Sequence, residues 1–390
     1  MRFILMQDLD LKDKRVLIRE DFNVPVHNGE IADDNRIKAA VPTIEMALQK
    51  GARVLCVSHL GRPKEGVFDP QFSLEPVAKK LAELLGKPVR LIQDWIDGVD
   101  LQPGEVAVGE NVRFLVGESA NDTMLAKKMA ALCDVFVMDA FATAHRAQAS
   151  TYGVAELAPI AAAGPLFAQE VEALSKAVET PERPLAAVVG GAKVSTKLGV
   201  LKGLLQKVDL LIPGGGITNT FLKAKGIEIG RSLVEPDLVS EAQAILDAAK
   251  AKGVEVLLPD DVIVTDELKD GAKGKVKAIA NIAANDIIAD IGPDSIRRYV
   301  ERLAQMKTAV WNGPLGVFEY APFAEGTKAI GQAIARCSFS IVGGGETVEA
   351  IHRFHIEGIG YISTAGGAFL EFLEGKELPA ITILEKRARS

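Results

Sequence analysis

Short apolar runs recur along the chain, each followed by a glycine-rich or polar loop and then by a stretch with helical periodicity. Continuous apolar runs of this kind are typical of strands that are buried on both faces of a parallel sheet. The predicted strands are Arg15–Arg19, Val54–Ser58, Glu105–Val108, Val135–Met138, Leu185–Val189, Leu210–Ile212, Glu255–Leu258, Thr308–Trp311, Phe339–Val342 and Tyr361–Ser363. The predicted helices between them include Ile37–Lys50, Leu74–Leu85, Lys197–Gln206, Val239–Ala251, Ser295–Gln305 and Thr347–Phe354.

The strand-helix alternation occurs twice, with one long helix in between. Phe167–Val178 has helical periodicity, and the Pro181 and Pro184 that follow it form a rigid break. A chain of 390 residues is also too long for one ordinary core. We therefore predict an α/β fold with two doubly wound, parallel-sheet (Rossmann-like) domains, residues 1–170 and 171–374, joined by a hinge helix.

Composition narrows the possible partners. The chain is 48% hydrophobic and 25% charged, with a net charge of −7, which is typical of a soluble enzyme and disfavours a nucleic-acid partner. No uninterrupted apolar stretch is long enough to span a membrane, and no heptad or exposed apolar face predicts self-association. We expect a cytoplasmic monomer without a membrane or nucleic-acid partner.

The first half places cationic side chains directly after its predicted strands. His59 and Arg62 follow one strand, Arg113 a second, and His145 with Arg146 a third. Parallel strands present their carboxyl ends, where ligands bind, at one edge. We predict that these groups converge on a small anion carrying phosphate or carboxylate.

Each of these residues also has a plainer interpretation. Asp21 and Asn23, which follow the first strand, are equally compatible with a strand-end turn. Arg36, in the first turn of a predicted helix, is by itself typical of a solvated charge. His59 and His145 are as compatible with hydrogen-bonded core histidines as with ligands. It is their common position at strand ends that favours a site.

The second half places glycines and lysines at its strand-to-helix junctions. The glycine clusters are Gly190-Gly191, Gly214-Gly215-Gly216, Gly343-Gly344-Gly345 and Gly366-Gly367. Free N–H groups at helix starts suit nucleotide phosphates. Lys193 and Lys197 are four residues apart, so they share a helix face if the helix has begun by then, although a solvated pair is the alternative. The glycines have neither the spacing of a P-loop nor that of a dinucleotide-binding motif.

Two acidic residues in the second half are further candidates. Glu346 follows the last glycine of Gly343–Gly345 and is an oxygen ligand candidate for Mg²⁺, or else a first-turn residue favoured by the helix dipole. Glu319, after the tight loop Trp311-Asn312-Gly313-Pro314, is a candidate acceptor for ribose hydroxyls. Two anion sites of different character predict phosphoryl transfer between their ligands.

Taken together, these segments resemble phosphoglycerate kinases over nearly the whole chain and in the right order. The matching segments are Arg19 with Asp21–Pro25, Ser58–Lys64, Glu110–Phe114, Asp139–Arg146, Gly190–Lys197, Pro213–Gly216, Trp311–Pro314, Gly316–Glu319 and Gly343–Gly345. The resemblance implies Mg²⁺-dependent interconversion of 1,3-bisphosphoglycerate and ADP with 3-phosphoglycerate and ATP, in glycolysis and gluconeogenesis. It also implies that residues 375–390 return to the first domain.

The resemblance also implies the roles of individual residues. The phosphoglycerate would be held by Asp21, Phe22, Asn23, Arg36, His59, Leu60, Gly61, Arg62, Arg113 and Arg146. The nucleotide would be held by Gly191, Ala192, Lys193, Lys197, Gly215, Glu319, Gly344, Gly345, Glu346 and Thr347, with Mg²⁺ at Glu346 directly or through water. Around the transferring group we expect Arg36, Lys193, Lys197 and the N–H groups near Gly345 and Gly367, brought together by domain closure.

Two positions depart from the family pattern. The family usually has aspartate at the position of Glu346, and glycine at the position of Ala365. Alanine is strained at position 365 only if the backbone there needs a positive φ.

Other function classes remain open from sequence alone. A different carboxylate kinase or an ATP-dependent ligase would share the nucleotide half, a non-catalytic nucleotide sensor or scaffold would bind without turnover, and a dehydrogenase would bind NAD.

Overall fold

The computed structural model describes residues 2–389, which form two compact units. The first unit holds the chain up to Glu172 and again from Glu377 onward. The second unit holds Ala173–Lys376. The boundary between them falls within a helix that spans Pro165–Val178.

The first unit is built on a parallel sheet of six strands. The strands of this unit are β1 (Arg15–Arg19), β2 (Val26–His27), β3 (Glu30–Ile31), β4 (Arg53–Val57), β5 (Val89–Ile92), β6 (Val106–Gly109), β7 (Val135–Met138) and β8 (Ile160–Ala163). The sheet order is β5-β6-β4-β1-β7-β8, while β2 and β3 form a separate antiparallel pair. The central strands are fully buried because helices cover both faces, as their continuous apolar runs predict.

The helices of the first unit are α1 (Asn35–Gln49), α2 (Glu75–Leu85), α3 (Thr123–Ala131), α4 (Val154–Leu157) and α5 (Pro165–Val178). Apolar side chains of α1, such as Ile37 and Ile44, pack against Ile18 and Val54 of the sheet in one core cluster. This packing fixes the first turn of α1, which carries Arg36, relative to the carboxyl end of β1.

The second unit repeats the architecture with a further parallel sheet of six strands. Its strands are β9 (Leu185–Val189), β10 (Leu210–Pro213), β11 (Glu255–Val256), β12 (Asp261–Thr265), β13 (Lys275–Ala278), β14 (Ile287–Ile291), β15 (Thr308–Asn312), β16 (Phe339–Gly343) and β17 (Tyr361–Ser363). The parallel order is β11-β10-β9-β15-β16-β17. The prediction of two parallel-sheet α/β domains is confirmed.

An antiparallel sheet of three strands, in the order β13-β12-β14, is an addition that the sequence pattern did not predict. The helices of the second unit are α6 (Leu198–Leu205), α7 (Gly216–Ala224), α8 (Val239–Lys252), α9 (Pro293–Leu303), α10 (Glu325–Ile334), α11 (Gly345–Arg353) and α12 (Gly366–Leu373). Helix α6 begins at Leu198, one residue after its predicted start, so the condition under which Lys193 and Lys197 would share a helix face is not met. Residues 193–197 instead form an irregular turn, because their backbone bonds close locally, as from Lys197 N–H to the carbonyl of Val194.

The last helix, α13 (Pro379–Ala388), lies in the first unit, where it packs against β8 and α4. The Arg387 guanidinium donates to the carbonyls of Glu156, Ala158 and Pro159 at 2.6–3.0 Å. These carbonyls end α4, which has no further turn to satisfy them. Among residues 2–389, no helix is both long and apolar enough to cross a bilayer.

Candidate functional site

The candidate anion-binding residues of the first unit meet at one edge of its sheet. Asp21 and Asn23 follow β1, His59 and Arg62 follow β4, Arg113 follows β6, and Arg146 follows β7. Strands β6, β4, β1 and β7 are consecutive neighbours and parallel. Their carboxyl ends therefore lie side by side, and the sheet order brings these residues together.

Asp21 and Asn23 hold the loops of this edge in place. The Asp21 carboxylate accepts from the Arg36 guanidinium, and also from the backbone N–H of Asn23 at 3.2 Å. The Asn23 side chain accepts from the Gly61 N–H at 2.9 Å. The loop after β1 is thus tied both to α1 and to the loop after β4.

The arginines at this edge repel one another. The Arg113 side chain donates to the carbonyl of Gly61. Burial, together with the nearby charges of Arg146, Arg19 and Arg62, lowers the pKa of Arg113 to about 10. Clustered cations that depress the pKa of one member form a site in which a bound anion relieves the repulsion.

A buried arginine that sequence reasoning did not single out as a site residue lies beneath this cluster. The Arg19 guanidinium, fully buried, donates to the Ser150 hydroxyl at 3.0 Å and to Nδ1 of His59 at 3.2 Å. Arginine has no acceptor, so Nδ1 of His59 must accept and the imidazole proton must be on Nε2. The charge of buried Glu118 favours the charged form of Arg19. The signal in the sequence was a charged residue closing an apolar strand.

Burial and the surrounding arginines lower the pKa of His59, which keeps the imidazole neutral. Its Nε2–H is then the group available to a ligand. Phe22 and Leu60 are about as buried as His59, at 0% and 4% exposure against 5%, but their side chains have no polar atom to offer a ligand. They can reach a ligand only through their backbone. His145 is half-buried.

The glycine junctions of the second unit also meet at one sheet edge. Strands β10, β9, β15, β16 and β17 are consecutive neighbours, and each glycine cluster follows one of them. The backbones approach so closely that a Cβ on Gly190 would lie 1.9 Å from the carbonyl oxygen of Pro314. Only glycine fits at position 190.

Helices α7, α11 and α12 begin at this edge. Their N-cap residues, Gly215, Gly344 and Ala365, provide no side-chain hydrogen bond to the first turns. The first N–H groups of α11 and α12 are therefore available to an anion, whereas in α7 the Ile217 N–H already donates to the carbonyl of Gly191 at 3.2 Å. Ala365 has φ −93°, so alanine is not strained there and this departure from the family pattern is structurally neutral.

Lys197 is held at this edge by a residue to which the sequence pattern assigned no role. Its ammonium donates to the side-chain oxygen of Asn312, at the buried end of β15. The Asn312 amide in turn donates to the carbonyl of Gly343 at 2.6 Å, which fixes its orientation. Burial lowers the pKa of Lys197, while the charge of Glu346 opposes that shift.

A cavity of about 210 Å³ lies beside these loops. Its walls include backbone of Gly191 and Gly215 and the apolar side chains of Leu233, Ile288 and Val317. Of the residues predicted to bind a nucleotide, Gly191, Ala192, Gly215, Glu319 and Glu346 line it. An apolar slot with carboxylates at its boundary suits a flat base and a ribose.

The other residues predicted to bind a nucleotide lie elsewhere at this edge. Lys193 is exposed on the turn that precedes α6, and Gly344 and Gly345 open α11. The Thr347 hydroxyl is buried and accepts from the Gly313 N–H at 2.7 Å, so it joins α11 to the loop after β15. Gly367 lies in the first turn of α12.

Two α/β units, one with an arginine-lined edge and one with a glycine-lined edge and an apolar slot, define the chain as a phosphoryl-transfer enzyme of two domains. The family model described as phosphoglycerate kinase matches residues 6–376. The phosphoglycerate kinase of Francisella tularensis subsp. novicida (strain U112) is 56% identical over the whole length of both chains. That of Legionella pneumophila (strain Corby) is 57% identical over 100% of this chain and 99% of its own.

Solved structures agree. The phosphoglycerate kinase of Coxiella burnetii superposes with a TM-score of 0.97 at 56% identity, covering 99% of this chain and 100% of that chain. The phosphoglycerate kinase of Pyrococcus horikoshii OT3 superposes with a TM-score of 0.81 at 34% identity, covering 99% of each chain. The chain belongs to the phosphoglycerate kinase family. The resemblance noted in the sequence and the prediction of a phosphotransferase are confirmed.

Proposed function

We propose that the chain transfers a phosphoryl group reversibly between 1,3-bisphosphoglycerate and ADP, giving 3-phosphoglycerate and ATP. The observation that carries the proposal is the pair of anion-binding sheet edges, one in each unit, in a chain of this family. One edge suits a small, highly charged metabolite, and the other suits a nucleotide.

The phosphoglycerate binds at the first edge. Arg62, Arg113 and Arg146 hold its phosphate and carboxyl groups, and the Nε2–H of His59 adds a neutral donor. Arg36, fixed by Asp21, faces the carboxyl end that receives the phosphoryl group. Buried Arg19 supports the cluster from below and orients His59.

The nucleotide binds at the second edge. The base and ribose occupy the apolar slot, with Glu319 accepting from the ribose hydroxyls. Lys193, Lys197 and the N–H groups of the glycine loops bind the phosphates. Asn312 positions the ammonium of Lys197.

We further propose that Mg²⁺ accompanies the nucleotide. Among residues 2–389, no three His, Cys, Asp or Glu side chains are grouped to hold a metal. Glu346 is an exposed carboxylate at the boundary of the slot. This donor fits Mg²⁺, which takes one or two carboxylates together with substrate phosphates and water. When bound, the ion neutralises phosphate charge.

Transfer requires no general base, because the attacking carboxylate of 3-phosphoglycerate is ionised at neutral pH. Catalysis rests on in-line positioning and on stabilising the transferring group. Arg36 on one unit and Lys197 on the other surround that group, with the N–H groups near Gly345 and Gly367. The ligands of the two edges must come into contact, so domain closure is part of the proposal.

The test is a coupled assay with 3-phosphoglycerate, ATP and Mg²⁺, in which a dehydrogenase follows 1,3-bisphosphoglycerate. Turnover should require Mg²⁺, and Lys197→Ala and Arg36→Ala should lower kcat by orders of magnitude with modest loss of binding. Lys202→Ala, which removes an exposed lysine from α6, is the matched control. Near-normal turnover of Lys197→Ala would contradict the assignment.

The same preparation separates the other function classes. Nucleotide binding without turnover would indicate a sensor or scaffold, competition by other carboxylates a different kinase or ligase, and NAD binding a dehydrogenase. Action as a cytoplasmic monomer, without nucleic acid or membrane, stays a prediction that size-exclusion chromatography tests in part.

A further inference from the structure

The turn that carries Lys193 and Lys197 is held from outside by a carboxylate. Glu235 accepts from the backbone N–H of Ser195 at 2.9 Å and from its hydroxyl at 2.6 Å. Since residues 193–197 lie outside any helix, these bonds replace the ones that a helix would have supplied.

Glu235 is itself anchored to α7. Its backbone N–H donates to the buried Thr220 hydroxyl at 3.4 Å, and the Asn219 amide donates to the carbonyl of Leu233 at 3.0 Å. Thr220 and Asn219 belong to α7, which begins at Gly216 in the nucleotide edge. The segment 233–235 therefore links the turn to a rigid helix of the same site.

The charge of Glu235 works against binding a nucleotide. Burial favours a higher pKa for Glu235, but the bonds from Ser195 and the charge of Lys193 leave the pKa lowered, so the carboxylate is ionised at neutral pH. An anion near the phosphate-binding lysines repels phosphate. Glu235 can therefore favour nucleotide binding only through the geometry that it imposes on the turn.

We propose that Glu235 is a positioning residue for the nucleotide, which it serves by fixing the turn from Lys193 to Lys197. The proposal rests on the proposed function, in which these lysines bind the phosphates. Without Glu235 the turn has more conformations, and the lysines reach the phosphates in only a fraction of them. The apparent affinity for the nucleotide is then the intrinsic affinity multiplied by that fraction.

The test measures kcat and both KM values for Glu235→Ala, Glu235→Gln and Ser195→Ala. We expect Glu235→Ala to lower kcat/KM for ATP roughly ten- to hundredfold, as for the loss of charge-assisted hydrogen bonds, with KM for 3-phosphoglycerate unchanged. Glu235→Gln keeps one acceptor and should recover part of the loss. The kcat/KM for ATP of Ser195→Ala should lie between those of the wild type and Glu235→Ala. The double variant Glu235→Ala/Ser195→Ala should have a kcat/KM no lower than that of Glu235→Ala alone.

Glu241→Gln is the charge-matched control. Glu241 is partly exposed on α8, where it pairs with Lys202 at 2.8 Å, and it does not contact the turn. If Glu235 acted only through its charge, both substitutions at position 235 would tighten nucleotide binding. The proposal would be overturned if the variants at position 235 bound ATP more tightly than the wild type, or if Glu235→Ala had the same kcat/KM for ATP as Glu241→Gln. An equal change in the KM values for ATP and 3-phosphoglycerate would also overturn it.

Failure of the two proposals can be told apart. If Lys197→Ala is inactive while Glu235→Ala matches the control, the positioning role is wrong and the proposed function stands. If the wild type has no turnover, the proposed function fails. Calorimetric titration with ATP then decides the positioning role, because Glu235→Ala should bind ATP more weakly than wild type.

Discussion

Glu20 should make the first unit less stable as the pH rises. Its carboxyl follows β1, is fully buried, and neither oxygen has a hydrogen-bond partner among the described residues. Burial raises the pKa of Glu20 well above its usual range, and the charges of Asp139 and Asp21 add to the effect, while Arg19 opposes it. Folded Glu20 therefore holds a proton that the unfolded chain releases.

The size of the effect follows from proton linkage. Between the unfolded pKa of Glu, about 4.3, and the higher folded pKa, the folded state binds one proton more than the unfolded state. The unfolding equilibrium constant then rises about tenfold per pH unit. Burial also raises the pKa of Asp139, to about 6, so the pH dependence that Asp139 adds to the stability of the first unit ends near pH 6. The stability that Glu20 contributes is full below its unfolded pKa and is lost toward its folded pKa.

Glu20→Gln removes this titration. The chain has two tryptophans, and Trp95 in the first unit and Trp311 in the second are both buried. In a Trp311→Phe background, Trp95 fluorescence in urea reports the first unit alone. Above about pH 6, the unfolding constant of the parent should rise relative to that of the variant by up to about tenfold per pH unit, until the pH reaches the raised folded pKa of Glu20.

Glu30→Gln, at an exposed position of the same unit, controls for removing a carboxylate. The reasoning would be refuted if the difference in free energy of unfolding between Glu20→Gln and its parent did not change with pH. It would also be refuted if the parent became more stable relative to Glu20→Gln as the pH rises.

Three further predictions concern stability. Arg387→Ala should destabilise the first unit by about 1–3 kcal/mol, because three carbonyls at the end of α4 lose their hydrogen bonds to a charged donor. Lys386→Ala, at a surface ion pair, should have an effect below about 1 kcal/mol by the same Trp95 assay. Gly190→Ala should unfold or rearrange the second unit in thermal melts, while Gly345→Ala, whose Cβ would meet open space, should not. Ala365→Gly should leave kcat unchanged and lower stability by about 0.5–1 kcal/mol, since φ is already negative; a gain in activity would contradict the structure.

Local pattern predicted most of the sheet strands but not all of them. β1, β4 and β7 are continuous apolar runs bounded by loops, and they were located to within about one residue. β8 was missed because three of its four residues are alanine, which has no strand preference. In β14 an aspartate interrupts the apolar run, and that carboxylate is satisfied only by folding, through the Gly326 N–H at 2.8 Å.

The sequence also indicated most of the candidate site, because charged and glycine residues at strand ends are a local signal. It did not indicate Arg19 or Asn312 as site residues, whose roles depend on partners far along the chain. Arg19 contacts Ser150, and Asn312 contacts Lys197. It located the start of α6 to within one residue, but it did not indicate the turn before α6, because the hold of Glu235 on that turn has no signature within residues 193–197.

The α/β class, the parallel sheets and the chemistry available at each strand end follow from the amino-acid sequence, because burial patterns and backbone preferences act through neighbours in the chain. The tertiary structure sets which strand ends are adjacent, as with the order β6-β4-β1-β7 that gathers the arginines. It also decided that α13 lies in the first unit. The physical reason is that strand pairing and helix docking are contacts between distant segments, and their free energy depends on which surfaces meet rather than on any local run of residues.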